Sequence, residues 1–133
     1  MNEDYLFVYG TLQRGLPGSR HELLEGSVEF LGRGEIAGRL IDLGSYPGLV
    51  KAVSAGQRVH GEIYRVCDTH ALFARLDRYE GCSPACPRPH EYRRVLRPVV
   101  LEDGQALAAW VYEYIGPVTG GRWIPGGKYR PRR

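Results

Sequence analysis

The stretch DTHALFARLDRYEG (residues 68–81) puts a carboxylate where a merely stable helix would avoid one. Asp68 or Thr69 can cap its start, and Gly81 can supply the left-handed residue that ends it. Within the helix Phe73, Leu76 and Glu80 fall at i, i+3 and i+7 and share a face, flanked by Leu72 and Tyr79. Glu80 therefore lies on or beside the apolar stripe, while Asp77 and Arg78 point elsewhere. It also occupies the last turn, where the helix dipole is negative. Desolvation and dipole both oppose ionisation, so both raise its pKa. Such a carboxyl can accept a proton and return it near neutral pH, which is general acid–base chemistry. On pattern alone, an exposed Glu80 at a frayed end, paired with Arg78 or Arg93, stands slightly ahead of that role, since weak surface pairs are common.

A second candidate is LFVYGTLQRG (residues 6–15), an apolar strand that runs straight into Tyr9, Gly10, Thr11 and Leu12. Gly10 lets a backbone come close to a ligand, and successive N–H groups after Tyr9 can hold an anion. An ordinary strand-ending turn fits Gly10 about equally well. Cys82, Cys86 and His90 recur at four-residue spacing in CSPACPRPH and invite a zinc reading. The spacing is wrong for most structural sites, a fourth ligand is missing, and three prolines forbid an aligning helix, so no metal is expected. With Cys67 the cysteines number three, which argues for reduced thiols rather than a disulfide framework. His21, His60, His70 and His90 sit in no motif, and no Ser–His or Cys–His nucleophile pair is obvious.

These residues must be carried by one domain of 133 residues, long enough to bury a real core. Glycines and prolines punctuate the chain, and nothing repeats. Strands are predicted over residues 5–9, 28–44 with a glycine kink, 48–53, 58–66, 91–101 and 106–115, the last two joined by EDGQ. A short helix is predicted within 17–26, with Ser19 as cap and Gly26 as stop. In the last long strand Trp110, Tyr112 and Tyr114 share one face, with Leu107, Val111 and Ile115 on the other. Bent strands with few helices predict a small mixed α+β barrel over residues 1–121. Residues 122–133 read as a basic tail, solvated or loosely docked.

That tail holds Arg122, Lys128, Arg130, Arg132 and Arg133, and the remaining 13 basic residues face 15 acidic ones. A basic end is not a basic folded face, so nucleic acid is not an expected partner. No stretch approaches the ~18 apolar residues of a membrane helix, and the acidic start is unlike a secretory signal. A cytoplasmic setting is expected.

Taken in order and spacing, LFVYGTLQRG, GEIYRV, LDRYEG, YRRVLRPVVL and AWVYEYI resemble the γ-glutamylcyclotransferase-like family, including the γ-glutamylamine cyclotransferases. The match spans residues 6–115. It implies a small mixed barrel that converts a γ-glutamyl compound into 5-oxoproline and a free amine or amino acid. It matches the catalytic glutamate to Glu80 and the substrate loop to Tyr9, Gly10, Thr11 and Leu12. A pocket-lining aromatic on the late strand falls at Tyr114, ahead of Tyr112. The substrate's own α-amine would attack its γ-carbonyl, so no protein nucleophile is needed and no cofactor is expected. The loop CSPACPRPHE departs from the family pattern and leaves leaving-group specificity open. Two other classes compete with this reading, a binding module that keeps the pocket without turnover, and an RNA- or membrane-associated protein using the tail. The leaving group and the oligomeric state are not legible.

Overall fold

The strand segments read from the sequence assemble around a single closed ring. The computed structural model describes residues 3–16 and 19–131. Its elements in chain order are β1 (Asp4–Val8), a three-residue 3-10 turn (His21–Leu23), β2 (Val28–Ala37), β3 (Arg39–Asp42), β4 (Pro47–Val50) and β5 (Arg58–Val66). After these come α1 (Thr69–Tyr79), β6 (Tyr92–Leu101), β7 (Ala106–Tyr114) and β8 (Arg122–Ile124). The sheet order is β1-β5-β2-β6-β7-β4-β3-β8, and a parallel β1–β7 pairing closes the first five strands into a barrel. This is the small mixed α+β barrel expected, with β4, β3 and β8 extending from β7 as a flap.

Period-two alternation gives the barrel strands two buried faces. Phe7, Ile36, Val59, Ile63, Val99, Ala109 and Val111 form one core cluster, to which all five ring strands contribute and α1 does not. That cluster fills the barrel. Leu6, Val8, Tyr64, Val66 and Tyr112 belong to a second cluster on the outer face, covered by Leu72, Phe73 and Leu76 of α1. Because α1 packs along β1 and β7, its C-terminal end arrives beside the end of β1.

Two segments differ from the sequence reading, and a third refines it. The helix expected over 17–26 shrinks to the His21–Leu23 turn, with the His21 N–H bonded to Ser19 Oγ at 3.1 Å, and residues 17 and 18 lie outside the described residues. The glycine kink expected within 28–44 falls at Gly38, which separates β2 from β3, and a register shift lies between Phe30 and Gly32. Part of the supposed tail is ordered structure. β8 pairs with β3 through Leu40↔Ile124 and Asp42↔Arg122, the Gly127 carbonyl accepts the His60 N–H at 2.8 Å, and Tyr129 packs against the barrel core. Arg132 and Arg133 lie outside the described residues. Among the described residues no helix is long and apolar enough to cross a membrane.

One joint in the sheet is held by a side chain. β1 and β4 share the same edge of β7 in succession, β1 at Leu6↔Trp110 and β4 at Leu49↔Glu113. Where one strand leaves and the other begins, Tyr9 bridges the ladder. Its buried hydroxyl donates to the Tyr112 carbonyl at 2.6 Å and accepts the Leu49 N–H at 3.0 Å. Replacing Tyr9 with Phe would leave a buried donor and a buried acceptor unpaired, each worth about 1–3 kcal/mol. Tyr9→Phe is therefore expected to lower the urea midpoint at unchanged slope by at least about 1 kcal/mol of stability; an unchanged midpoint would deny the hydroxyl its bridging role.

Candidate active site

The joint at Tyr9 opens onto a cavity of about 430 Å³. Its walls come from the end of β1 and the following loop (Tyr9, Gly10, Thr11, Leu12), the end of α1 (Tyr79, Glu80, Gly81), the β3–β4 turn (Ser45, Tyr46, Pro47), and Glu91, Tyr92 and Tyr112 of the last long hairpin. The carboxylate and the loop that the sequence singled out thus face one space.

Glu80 arrives there because of how α1 stops. Asp68 caps the start, its side chain accepting the Ala71 N–H. At the other end Glu80 is the C-cap, and Gly81 follows with φ +76°, a conformation that favours glycine. The Gly81 N–H bonds Arg78 O at 3.2 Å and the Cys82 N–H bonds Asp77 O at 2.8 Å, the paired closure of a Schellman motif. Glu80 is partly buried, and among the described residues no side chain donates to or pairs with its carboxyl. Burial alone pushes its pKa up to about 7. Two neighbouring arginines of β6 are engaged by other acids. Arg93 lies 3.6 Å from Glu113, and Arg94 grips Asp77 with two bonds of 2.9 and 3.2 Å. Asp77 does not point away, as the helical pattern suggested. It is partly buried and accepts the Tyr112 hydroxyl at 2.6 Å, because β6 and β7 wrap further round the helix than a single stripe allows.

Opposite lies the loop. Its N–H groups at Gly10, Thr11 and Leu12 donate to no acceptor among the described residues, whereas the Gln13 N–H closes a turn on Gly10 O at 3.1 Å. The loop is tied to the helix by Thr11 Oγ1 and the Tyr79 hydroxyl at 2.8 Å, and to the next segment by the Arg20 N–H on Thr11 O at 2.7 Å. The glycine at position 10 has its own packing reason. A Cβ there would meet Pro47 Cγ at 2.8 Å, so Gly10 lets the loop lie against β4.

Tyr114, placed first among pocket aromatics, is not among the lining residues. Its hydroxyl donates to Pro117 O at 2.6 Å and its ring meets Tyr92 edge-on. Tyr112 lines the cavity instead, joined by Tyr46, Tyr79 and Tyr92, which the sequence reading did not single out. Tyr9 and Tyr92 stay protonated, their pKa values raised first by burial and further by neighbours that include Glu80. The Cys82 thiol is pushed up to about 11, chiefly by burial and then by Asp77 and Glu80, so it is no thiolate near neutral pH. Among the described residues no group of three or more His, Cys, Asp or Glu side chains is placed to hold a metal ion. His90 Nε2 instead meets Cys86 O at 3.3 Å.

A mixed barrel thus carries a desolvated carboxyl and the loop of residues 9–12 on one cavity. The family described as gamma-glutamyl cyclotransferase, AIG2-like, matches residues 6–131, and the chain belongs to it. It is 35% identical over 128 residues to a γ-glutamylcyclotransferase family protein of Escherichia coli, covering 96% of each chain. It is 37% identical over 105 residues to the γ-glutamylaminecyclotransferase of Homo sapiens, covering 74% of this chain and 63% of that one. An AIG2-like protein from Mus musculus has the same fold, with a TM-score of 0.71, 27% identity, and coverage of 99% and 98%.

A raised folded-state pKa gives a pH dependence of definite sign. Below the unfolded value of 4.5, Glu80 is protonated in both states and costs nothing; as pH rises through about 7 the buried group must ionise and stability falls. Glu80→Gln is therefore expected to gain about 3 kcal/mol on wild type between pH 4.5 and pH 8. Urea unfolding across that range reads it, and a difference that does not change with pH would contradict the burial.

Proposed function

We propose that this protein is a γ-glutamyl cyclotransferase, closing the γ-glutamyl group of a γ-glutamyl amine or amino acid to 5-oxoproline and releasing the amine. What supports the reading is one juxtaposition, an unpaired carboxyl with a pKa near 7 and three residues with free N–H groups lining a single cavity. Family membership supports the reaction class.

In this reading the N–H groups of Gly10, Thr11 and Leu12 receive the substrate's α-carboxylate, and the tyrosine-lined wall bends its chain. Glu80 takes a proton from the α-ammonium, and the freed nitrogen attacks the γ-carbonyl carbon. The new C–N bond closes the ring as a tetrahedral centre forms. When that centre collapses, the bond to the leaving nitrogen breaks and Glu80 returns its proton there. The ring nitrogen's second proton takes the same route, so the amine leaves as an ammonium and Glu80 ends as it began. Holding the two ends of one molecule together supplies ~7 kcal/mol or more of the barrier reduction, and proton transfer adds ~10²–10⁴-fold.

The test is 5-oxoproline release from a panel of γ-glutamyl amines and γ-glutamyl amino acids. Glu80→Gln is expected to lower kcat/KM by ~10²–10⁴-fold while the protein stays folded. The wild-type rate is expected to rise with pH as Glu80 deprotonates around 7. Undiminished turnover in the Gln variant would overturn the assignment of the proton carrier.

A further inference from the structure

The motif GEIY (61–64) carries a buried carboxylate that the cyclisation does not use. Glu62, on β5, is 2% exposed, while a strand residue of its type normally turns to solvent. Its register partner is Val8, the last residue of β1, so it stands where the chain leaves the barrel for the loop that lines the cavity. Glu62 Oε1 accepts the Arg14 backbone N–H at 3.0 Å and the Tyr64 hydroxyl at 2.9 Å. Oε2 lies 3.5 Å from the Arg14 guanidinium and 3.8 Å from that of Arg33, both about half-exposed. The Arg14 guanidinium in turn lies over the Phe30 ring at 3.7 Å.

Stability alone is a poor account of such a group, because a buried ion pair rarely outperforms well-packed apolar side chains. Its position says more. Tyr9 fixes the near end of the loop through its hydroxyl, and Glu62 fixes the far end through the amide of Arg14. Between these two anchors lie the amide groups of Gly10, Thr11 and Leu12. A backbone held at both ends has already lost the freedom that binding would otherwise have to remove.

We infer that Glu62 is a positioning residue, holding the Arg14 N–H so that the amide row of residues 10–12 is set in place before substrate arrives. The inference rests on the cyclotransferase reading for its effect on catalysis, but not for its effect on the loop. The contact needs an acceptor of the right reach rather than a negative charge. Gln at this position keeps one oxygen at full length, and the two half-exposed guanidiniums can swing into water. Asp keeps the charge but withdraws both oxygens by one methylene.

The experiment compares Glu62→Gln with Glu62→Asp. Amide hydrogen exchange of the 9–16 segment is read without substrate, and KM and kcat are read with a γ-glutamyl compound that wild type turns over. Glu62→Gln is expected to keep wild-type loop protection and a KM within about threefold. Glu62→Asp is expected to lose loop protection and to raise KM about tenfold or more, with a smaller change in kcat and an unmoved pH profile, since Glu80 is untouched. The inference is overturned if Asp behaves as wild type, which would make charge rather than reach the requirement, or if Gln and Asp are impaired alike, since an acceptor of full reach would then not be enough. If wild type releases no 5-oxoproline, the cyclotransferase reading fails, and the exchange comparison still decides the role of Glu62.

Discussion

The arrangement depends on a carboxyl group left without a counter-ion at the end of a helix. The three arginines of β6 are each paired with another acid. Asp77 takes Arg94, and Glu113 takes Arg93 and Arg97. Tyr112 completes the set by donating to Asp77. The Schellman closure at Gly81 then ends the helix directly after Glu80. The cost of ionising it is the property that makes a proton carrier useful near neutral pH.

The cavity has an equally local origin. A barrel closed by antiparallel pairs alone would run one neighbour along the whole of β7. Here β1 and β4 divide that edge, and their change-over leaves room that the Tyr9 side chain bridges but does not fill. Tyr9 consequently serves two structures at once, the sheet ladder and the cavity wall. The loop beyond it is anchored at Tyr9, Thr11 and Arg14, while its N–H groups at Gly10, Thr11 and Leu12 take no part in the fold's own hydrogen bonding.

Much of this is legible in the amino-acid sequence. Asp68, the spacing of Phe73 and Leu76, and Gly81 mark the helix over 68–81, all local signals that tertiary contacts do not override. β5 is marked just as clearly. β8 escapes a sequence reading because three residues in a basic segment carry no periodicity, and its pairing with Leu40 and Asp42 is a long-range event. Tyr112 and Tyr114 share a face in any strand reading. Only the reach of the Tyr114 hydroxyl to Pro117 shows which of them turns toward the cavity. Glu62 stays hidden for a related reason. A single Glu in an alternating strand reads as solvent-facing, and nothing local announces that the first loop will fold back over it.

The most direct test is the ionisation of one side chain in the folded, ligand-free protein. Carbon-13 NMR of the Glu80 carboxyl, recorded as pH is raised, measures it without reference to any substrate. A midpoint near 7 is the predicted result. A midpoint at the ordinary glutamate value, about 4.3, would mean that water or a cation reaches the group, and would contradict the central claim.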